Sequence, residues 1–126
     1  MNNSSNLSHI KRSQKESLLL KELSKMLLQL SLDDAELNGL FINRVELSKN
    51  KGVCIIYFYD PNGREIFEHK KRRLILYKPS LRKGIASTLD GRYTPELKFA
   101  FDEQFEKQQR IENILETVKK DFDKAE

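Results

Sequence analysis

The chain has 126 residues, with 23 Lys and Arg against 19 Asp and Glu, for a formal net charge of +4. That length fits one compact domain, which we expect at residues 13–122, between a flexible tail at 1–12 and a short tail at 123–126. The single cysteine excludes an internal disulfide, no apolar run approaches the roughly 20 residues that span a bilayer, and the opening residues lack a signal-peptide pattern. We therefore expect a cytoplasmic protein.

The first element predicted along the chain is an amphipathic helix. Ser13 and Glu16 have the spacing of a capping box, which favours a helix start at Ser13. Leucines then recur at intervals of three and four residues, at Leu20, Leu23, Leu27 and Leu30. This period predicts a helix to about Ser31 whose leucine face is buried. A coiled coil is the alternative, but only about two of the three to four heptads that it needs are present.

Two strands are predicted next. Residues 40–47 mix β-branched and aromatic side chains, and residues 53–59 are apolar on both faces, with a short turn between them at 50–52. The two strands should pair as an antiparallel hairpin. We expect Cys54 to be a buried small hydrophobe, because the strand around it is wholly apolar. We interpret the acidic stretch before the hairpin, with Asp33, Asp34 and Glu36, as a solvated loop.

The stretch after the turn at 60–63 allows two interpretations. Residues 74–77 would suit a third strand, but the basic run at 70–73 favours a helix over 67–77. Pro79 should interrupt that helix, because its ring removes a backbone donor and clashes with the preceding turn. A second helix is predicted over 80–89, with Leu81, Ile85 and Leu89 on one face, and Asp90-Gly91 should cap its end.

The last strand and helix complete the predicted fold. Leu97, Phe99 and Phe101 alternate with other residues, which is typical of a strand with one buried face. Asp102 is a good N-cap for a final helix. Its predicted inner stripe consists of Ile111, Ile114, Leu115, Val118 and Phe122. The order is therefore α-β-β-α-kink-α-β-α, an α+β fold whose three-stranded sheet is covered on one face by helices.

Catalytic and metal sites find little support in the sequence. The two histidines are His9, in the predicted tail, and His69, beside the basic run. The acids near Asp33 are the nearest approach to a metal-ligand cluster, and no glycine-rich phosphate loop is present. We expect neither catalysis nor a cofactor nor a metal.

The strongest functional signal is a basic stretch. Residues 69–89 contain seven basic side chains and no acid. A run of charge is usually a solvated helix face, but the absence of acids among these cations favours a polyanionic partner. The predicted RNA-binding residues are Lys70, Lys71, Arg72, Arg73, Lys78, Arg82, Lys83 and Arg92. Tyr77 and Tyr93 flank them, and we expect both rings to pack partly into the core.

Three segments of the sequence resemble one known family. They are residues 80–89, with Leu81-Arg82; residues 92–99, with Pro95-Glu96-Leu97-Lys98-Phe99; and the start of the last helix, with Asp102, Phe105-Glu106 and Arg110-Ile111. The stretch 33–37 also looks like the lead into that family's first strand, and residues 45–46 look like part of the strand itself. In this progression, which spans about residues 13–120, the chain resembles the ribosome-binding factor A family.

The resemblance implies a KH-like fold of type II and a helix, not a strand, before Pro79. It also implies binding to the small ribosomal subunit late in assembly, support of rRNA processing, and importance in the cold. One departure is visible, because Tyr77-Lys78-Pro79 stands where the family usually has an Ala-x-Gly kink. The Gly-x-x-Gly loop of ordinary KH domains is missing, so binding should depend on charge and shape.

The resulting prediction is a non-enzymatic, monomeric maturation factor. Its expected partners are the precursor of the small ribosomal subunit and its rRNA, without a membrane or a small-molecule substrate. The alternative is a protein interaction module that binds a partner chain through the second apolar face of residues 53–59.

Overall fold

The computed structural model describes residues 2–89 and 94–124. Its helices are α1 (Asn2–Asp33), α2 (Arg64–Leu74), α3 (Lys78–Ile85) and α4 (Glu103–Lys124). Its strands are β1 (Phe41–Leu47), β2 (Val53–Tyr59) and β3 (Glu96–Phe101). Short 3-10 turns at Ala35–Leu37 and Ile75–Tyr77 precede β1 and α3. The predicted α+β class and the order of elements are confirmed.

The sheet has the order β1-β2-β3. β1 and β2 form the predicted antiparallel hairpin, in which Phe41 lies opposite Tyr59 and Leu47 opposite Cys54. β3 runs parallel to β2. A parallel neighbour requires a crossover connection, and α2 and α3 supply it.

The core lies between one face of the sheet and the helices. α1 buries Leu23 and Leu27 there, as the leucine period predicts, and it also buries Leu19. Leu20 and Leu30, the other two leucines of that period, are only partly buried. The other helices contribute Phe67, Leu74, Leu81 and Ile85. On the sheet side Phe58 is central, since its ring lies 5.8 Å from the ring of Phe67 and 5.4 Å from that of Phe99. Cys54 is fully buried, as predicted.

The predicted start of the first helix is wrong. α1 begins at Asn2, and Ser13 lies inside it, where its carbonyl oxygen accepts a hydrogen bond from Ser17 Oγ at 3.1 Å. Glu16, the other half of the predicted capping box, instead accepts a hydrogen bond from the backbone N–H of Leu47 at 2.7 Å. This contact ties α1 to the end of β1. The division into tails and a domain remains a prediction.

The bend between α2 and α3 differs in detail from the prediction. A 3-10 turn at Ile75–Tyr77 separates the helices, which excludes the alternative strand there. Pro79 stands in the first turn of α3, where a missing N–H costs no intrahelical hydrogen bond. Proline therefore begins the second helix and does not end the first. α3 ends at Ile85, earlier than predicted, and the expected cap at residues 90–91 lies outside the described residues.

The predicted burial of the last helix is wrong. Phe105, in its first turn, packs against the sheet, with its ring 4.7 Å from Tyr59 and 6.2 Å from Phe41. Beyond that turn the helix leaves the sheet, and the five residues of the predicted inner stripe are all exposed. The period correctly identified one apolar face. It could not show that the chain's own described elements leave this face uncovered.

Candidate nucleic-acid interface

Lys70, the first residue of the basic run, points into the domain. Its side chain is only 11% exposed, and its Nζ forms an ion pair with Asp60, whose side chain is fully buried. The same Nζ donates a hydrogen bond to the backbone oxygen of Asn38 at 2.6 Å. Lys70 has this orientation because it lies on α2 between two buried residues, Phe67 and Leu74. Lys70 therefore joins α2 to the turns that flank the hairpin.

Arg73 is also held by an internal carboxylate. Its Nε pairs with Asp34 and lies 3.5 Å from Glu36 Oε2, while Tyr77 donates its hydroxyl hydrogen to Asp34 Oδ2 at 2.8 Å. The hydrogen bonds from Arg73 and Tyr77 hold the pKa of Asp34 below its ordinary value. Asp34 is only 6% exposed, so the prediction of a solvated loop is wrong for this residue. Tyr77 packs partly against the core, as predicted.

Two of the three cations of α3, Lys78 and Arg82, contact β3 or the residues just before it. Arg82 donates hydrogen bonds to the backbone oxygens of Pro95 at 3.2 Å and Thr94 at 3.0 Å. Lys78 lies 3.5 Å from a carboxylate oxygen of Glu96, with its Nζ over the ring of Phe99 at 5.4 Å. These contacts fix α3 against the sheet. Arg92 and Tyr93 lie outside the described residues.

Three of the predicted RNA-binding residues have no carboxylate partner within residues 2–89 and 94–124. Lys71 and Arg72 lie in the last turn of α2, and Lys83 lies in the last turn of α3. Arg72 and Lys83 are exposed, and Lys71 is half-buried. Cations favour the C-terminal turn of a helix because they complement its dipole, which gives these residues a structural role as well. No described carboxylate neutralises their charge, and we call these three residues the basic face.

A cleft beside α2 contains cations that the sequence did not single out. It has a volume of about 570 Å³, and its lining includes Lys71 of the basic face with Arg44, Arg64 and Lys107. The guanidinium of Arg44 lies 3.8 Å from the centre of the Tyr57 ring and is held by Asp102 at 3.1 Å. These cations come from β1, α2 and α4, so only the fold brings them together.

Asp102 organises the start of α4. Its buried side chain accepts a hydrogen bond from the backbone N–H of Phe105 at 3.1 Å, so Asp102 is the N-cap of α4, as predicted. It also accepts a hydrogen bond from the side-chain amide of Asn43 at 2.8 Å. Burial acts to raise the pKa of Asp102, but the hydrogen bonds from Asn43, Phe105 and Arg44 outweigh it and hold this pKa below its ordinary value. Asp102 therefore remains ionised and fixes Arg44 at the edge of the cleft.

Cys54, His9 and His69 are the side chains of the sequence with the most potential for catalysis. Burial raises the pKa of the Cys54 thiol to about 12, so this thiol is not a nucleophile at neutral pH. His9 and His69 are exposed. Within the described part of the chain, no three histidine, cysteine or acidic residues form a group that could hold a metal ion. No helix there is long and apolar enough to cross a membrane.

A mixed three-stranded sheet with helices packed on one face defines a KH-like fold, as the resemblance implied. The crystal structure of ribosome-binding factor A from Thermus thermophilus has this fold, with a TM-score of 0.58 and 25% sequence identity, and the match covers 70% of this chain and 92% of that one. The family model for ribosome-binding factor A matches residues 11–115. The chain therefore belongs to the ribosome-binding factor A family.

Individual relatives agree with the family model. A ribosome-binding factor A from Pelobacter propionicus is 27% identical over 114 residues, which cover 90% of this chain and 93% of the relative. Another from Helicobacter pylori is 30% identical over 108 residues, covering 86% of this chain and 91% of the relative. As a member of this family, the protein is a ribosome-associated assembly factor.

Proposed function

We propose that this protein binds the precursor of the small ribosomal subunit and its rRNA through the basic face. The observation that carries this proposal is that Lys71, Arg72 and Lys83 have no carboxylate partner in the described part of the chain. The exposed parts of Arg73 and Lys78 would add to the positive charge of the protein surface. Each unpaired cation can neutralise one phosphate and release its counterions.

The other predicted RNA-binding residues would have a different part in the same interface. Lys70 pairs with Asp60, and Arg82 donates a hydrogen bond to Pro95, both inside the domain. These two residues would therefore hold α2 and α3 in place and would not contact phosphate. Arg92 remains a candidate on sequence grounds alone. The loss of Lys70 should therefore weaken RNA binding indirectly, because it destabilises the fold that positions the basic face.

We further propose that the protein acts without catalysis, in the cytoplasm, as one copy on each subunit, in late assembly and rRNA processing. The buried thiol of Cys54 and the lack of a described metal-ligand group support a binding role. Binding through the outer face of β2 has weaker support. There Arg44 covers the ring of Tyr57, and Tyr57 donates a hydrogen bond to Glu46, so the face is polar around that ring.

Sedimentation of a tagged protein through a gradient of cell lysate tests the proposal. Wild type should migrate with free small subunits and not with translating ribosomes. Replacing Lys71, Arg72 and Lys83 by Gln should shift the protein to the top of the gradient, because Gln keeps the helix propensity and removes the charge. The matched control replaces Lys21, Lys25 and Lys120 by Gln, which removes the same charge from other exposed positions.

The two variants separate a specific interface from a general charge effect. Equal loss of co-migration in both would mean that net charge alone drives association. Retention of co-migration by the variant of the basic face would remove these residues from the proposed interface.

A further inference from the structure

The outer half of α4 carries an apolar face that nothing described in this chain covers. The face consists of Ile111, Ile114, Leu115, Val118 and Phe122, each between 56% and 72% exposed. We call these five residues the α4 stripe. The spacings place them on one side of the helix, over a length of about 16 Å. The match to the family model ends at residue 115, before Val118 and Phe122.

The charges beside the α4 stripe point to its occupant. Glu112 and Lys119 are seven residues apart and therefore lie on the same flank of the stripe, one near each end. Neither has an ion-pair partner among residues 2–89 and 94–124. On the opposite side of the helix, Glu116 and Lys120 pair with each other at 3.8 Å. These two unpaired charges of opposite sign therefore flank the surface on which a second helix would pack.

We propose that the α4 stripe binds the α4 stripe of a second copy of this chain, with the two helices antiparallel. A two-fold axis that passes between residues 116 and 117 places Leu115 opposite Val118 of the second copy and Ile111 opposite Phe122. The same operation brings Glu112 of each copy beside Lys119 of the other. Antiparallel pairing about this axis is self-complementary, as a two-fold interface between identical chains must be. Each ion pair therefore forms twice.

The length of the α4 stripe sets the strength of this interaction. It spans fewer than two heptads, whereas stable coiled coils sustain the pattern over three or four. The interface is therefore at the small, weak end of the range for protein complexes. Dimers should form in the free protein at high concentration and dissociate on dilution, which agrees with a single copy on each subunit.

Sedimentation equilibrium of the full chain over a wide range of concentrations tests this inference. The apparent mass of wild type should rise from one chain towards two. Leu115→Asp should keep the mass of one chain at every concentration, and its thermal melt should match wild type because Leu115 is exposed. Glu112→Lys alone and Lys119→Glu alone should each weaken dimerisation, and the double variant, which exchanges the two charges, should restore it. The matched control exchanges Glu116 and Lys120.

Three results would overturn the inference. The first is a wild-type mass of one chain at every concentration, and the second is an assembly larger than two. The third is a charge exchange that does not restore dimers, since restoration distinguishes antiparallel pairing from a general loss of stability. If the first result is found, the Leu115→Asp variant should also be sedimented with small subunits, and it could then fail to migrate with them. That result would assign the α4 stripe to the subunit instead of a second copy.

Discussion

Replacement of Lys70 by Gln should destabilise the domain strongly, although Lys70 belongs to a run that looks like one exposed surface in the sequence. Its ammonium group is the cation beside Asp60, whose side chain has no exposure to solvent. Removing one partner of a buried ion pair typically costs about 3–5 kcal/mol, because the other charge remains buried without compensation. The total stability of a domain is only about 5–15 kcal/mol. The melting temperature should therefore fall by about 10 °C or more.

Thermal melts followed by circular dichroism measure this effect, with Arg72→Gln as the matched control. Arg72 is exposed, so its replacement should change the unfolding free energy by no more than about 0.5 kcal/mol. In a double-mutant cycle, Asp60→Asn should recover much of the loss in Lys70→Gln, because it removes the orphaned charge. A Lys70→Gln protein that melts with wild type would refute the reasoning. Lys70 would then be as available to RNA as its neighbours.

Three further predictions concern the core, pH and chemistry. Leu23→Asp should unfold the domain, at a cost of several kcal/mol, because the side chain of Leu23 is fully buried, and a cooperative melt near wild type would contradict this. The pKa of Asp102 is lower in the folded than in the unfolded state, so its contribution to stability is present above about pH 4 and is lost as the pH falls through the folded value. Urea titrations should show a weaker acid dependence in Asp102→Asn than in wild type. Cys54→Ala, combined with loss of both histidines, should leave a folded protein that still migrates with small subunits, and loss of this association in a folded variant would count against a non-catalytic role.

Local sequence patterns predicted the elements well because each element carries its own signal. The alternation in β3, the apolar run of β2 and the leucine period of α1 arise from neighbours in the chain. The structure has β2 and β3 close to the expected positions, and α1 ends close to its expected end. The predicted start of α1 was wrong because the spacing of Ser13 and Glu16 is compatible with a helix interior as well as with a capping box. The capping pattern specifies a favourable start and does not prevent a helix from continuing through it.

The candidate site was harder to predict because its important contacts are distant in sequence. Arg73 and Asp34 are 39 positions apart, and nothing near either residue reveals the other as its partner. The pattern of charges therefore could not separate Lys70 and Arg73, which have carboxylate partners, from Lys71 and Arg72. The exposure of the α4 stripe was missed for a related reason. Periodicity shows which side of a helix is apolar, but the covering surface can belong to another molecule.

The salt dependence of binding to purified small subunits tests the central proposal most directly. If the basic face contacts phosphates, the affinity of wild type should fall linearly with salt on a log-log plot, with a slope of about −0.7 to −0.9 for each contact. Replacing Lys71, Arg72 and Lys83 by Gln should weaken binding and make this slope shallower by roughly two to three units. The control with Lys21, Lys25 and Lys120 replaced should keep the wild-type slope. An unchanged slope in the variant of the basic face, or an equal change in the control, would contradict the proposal.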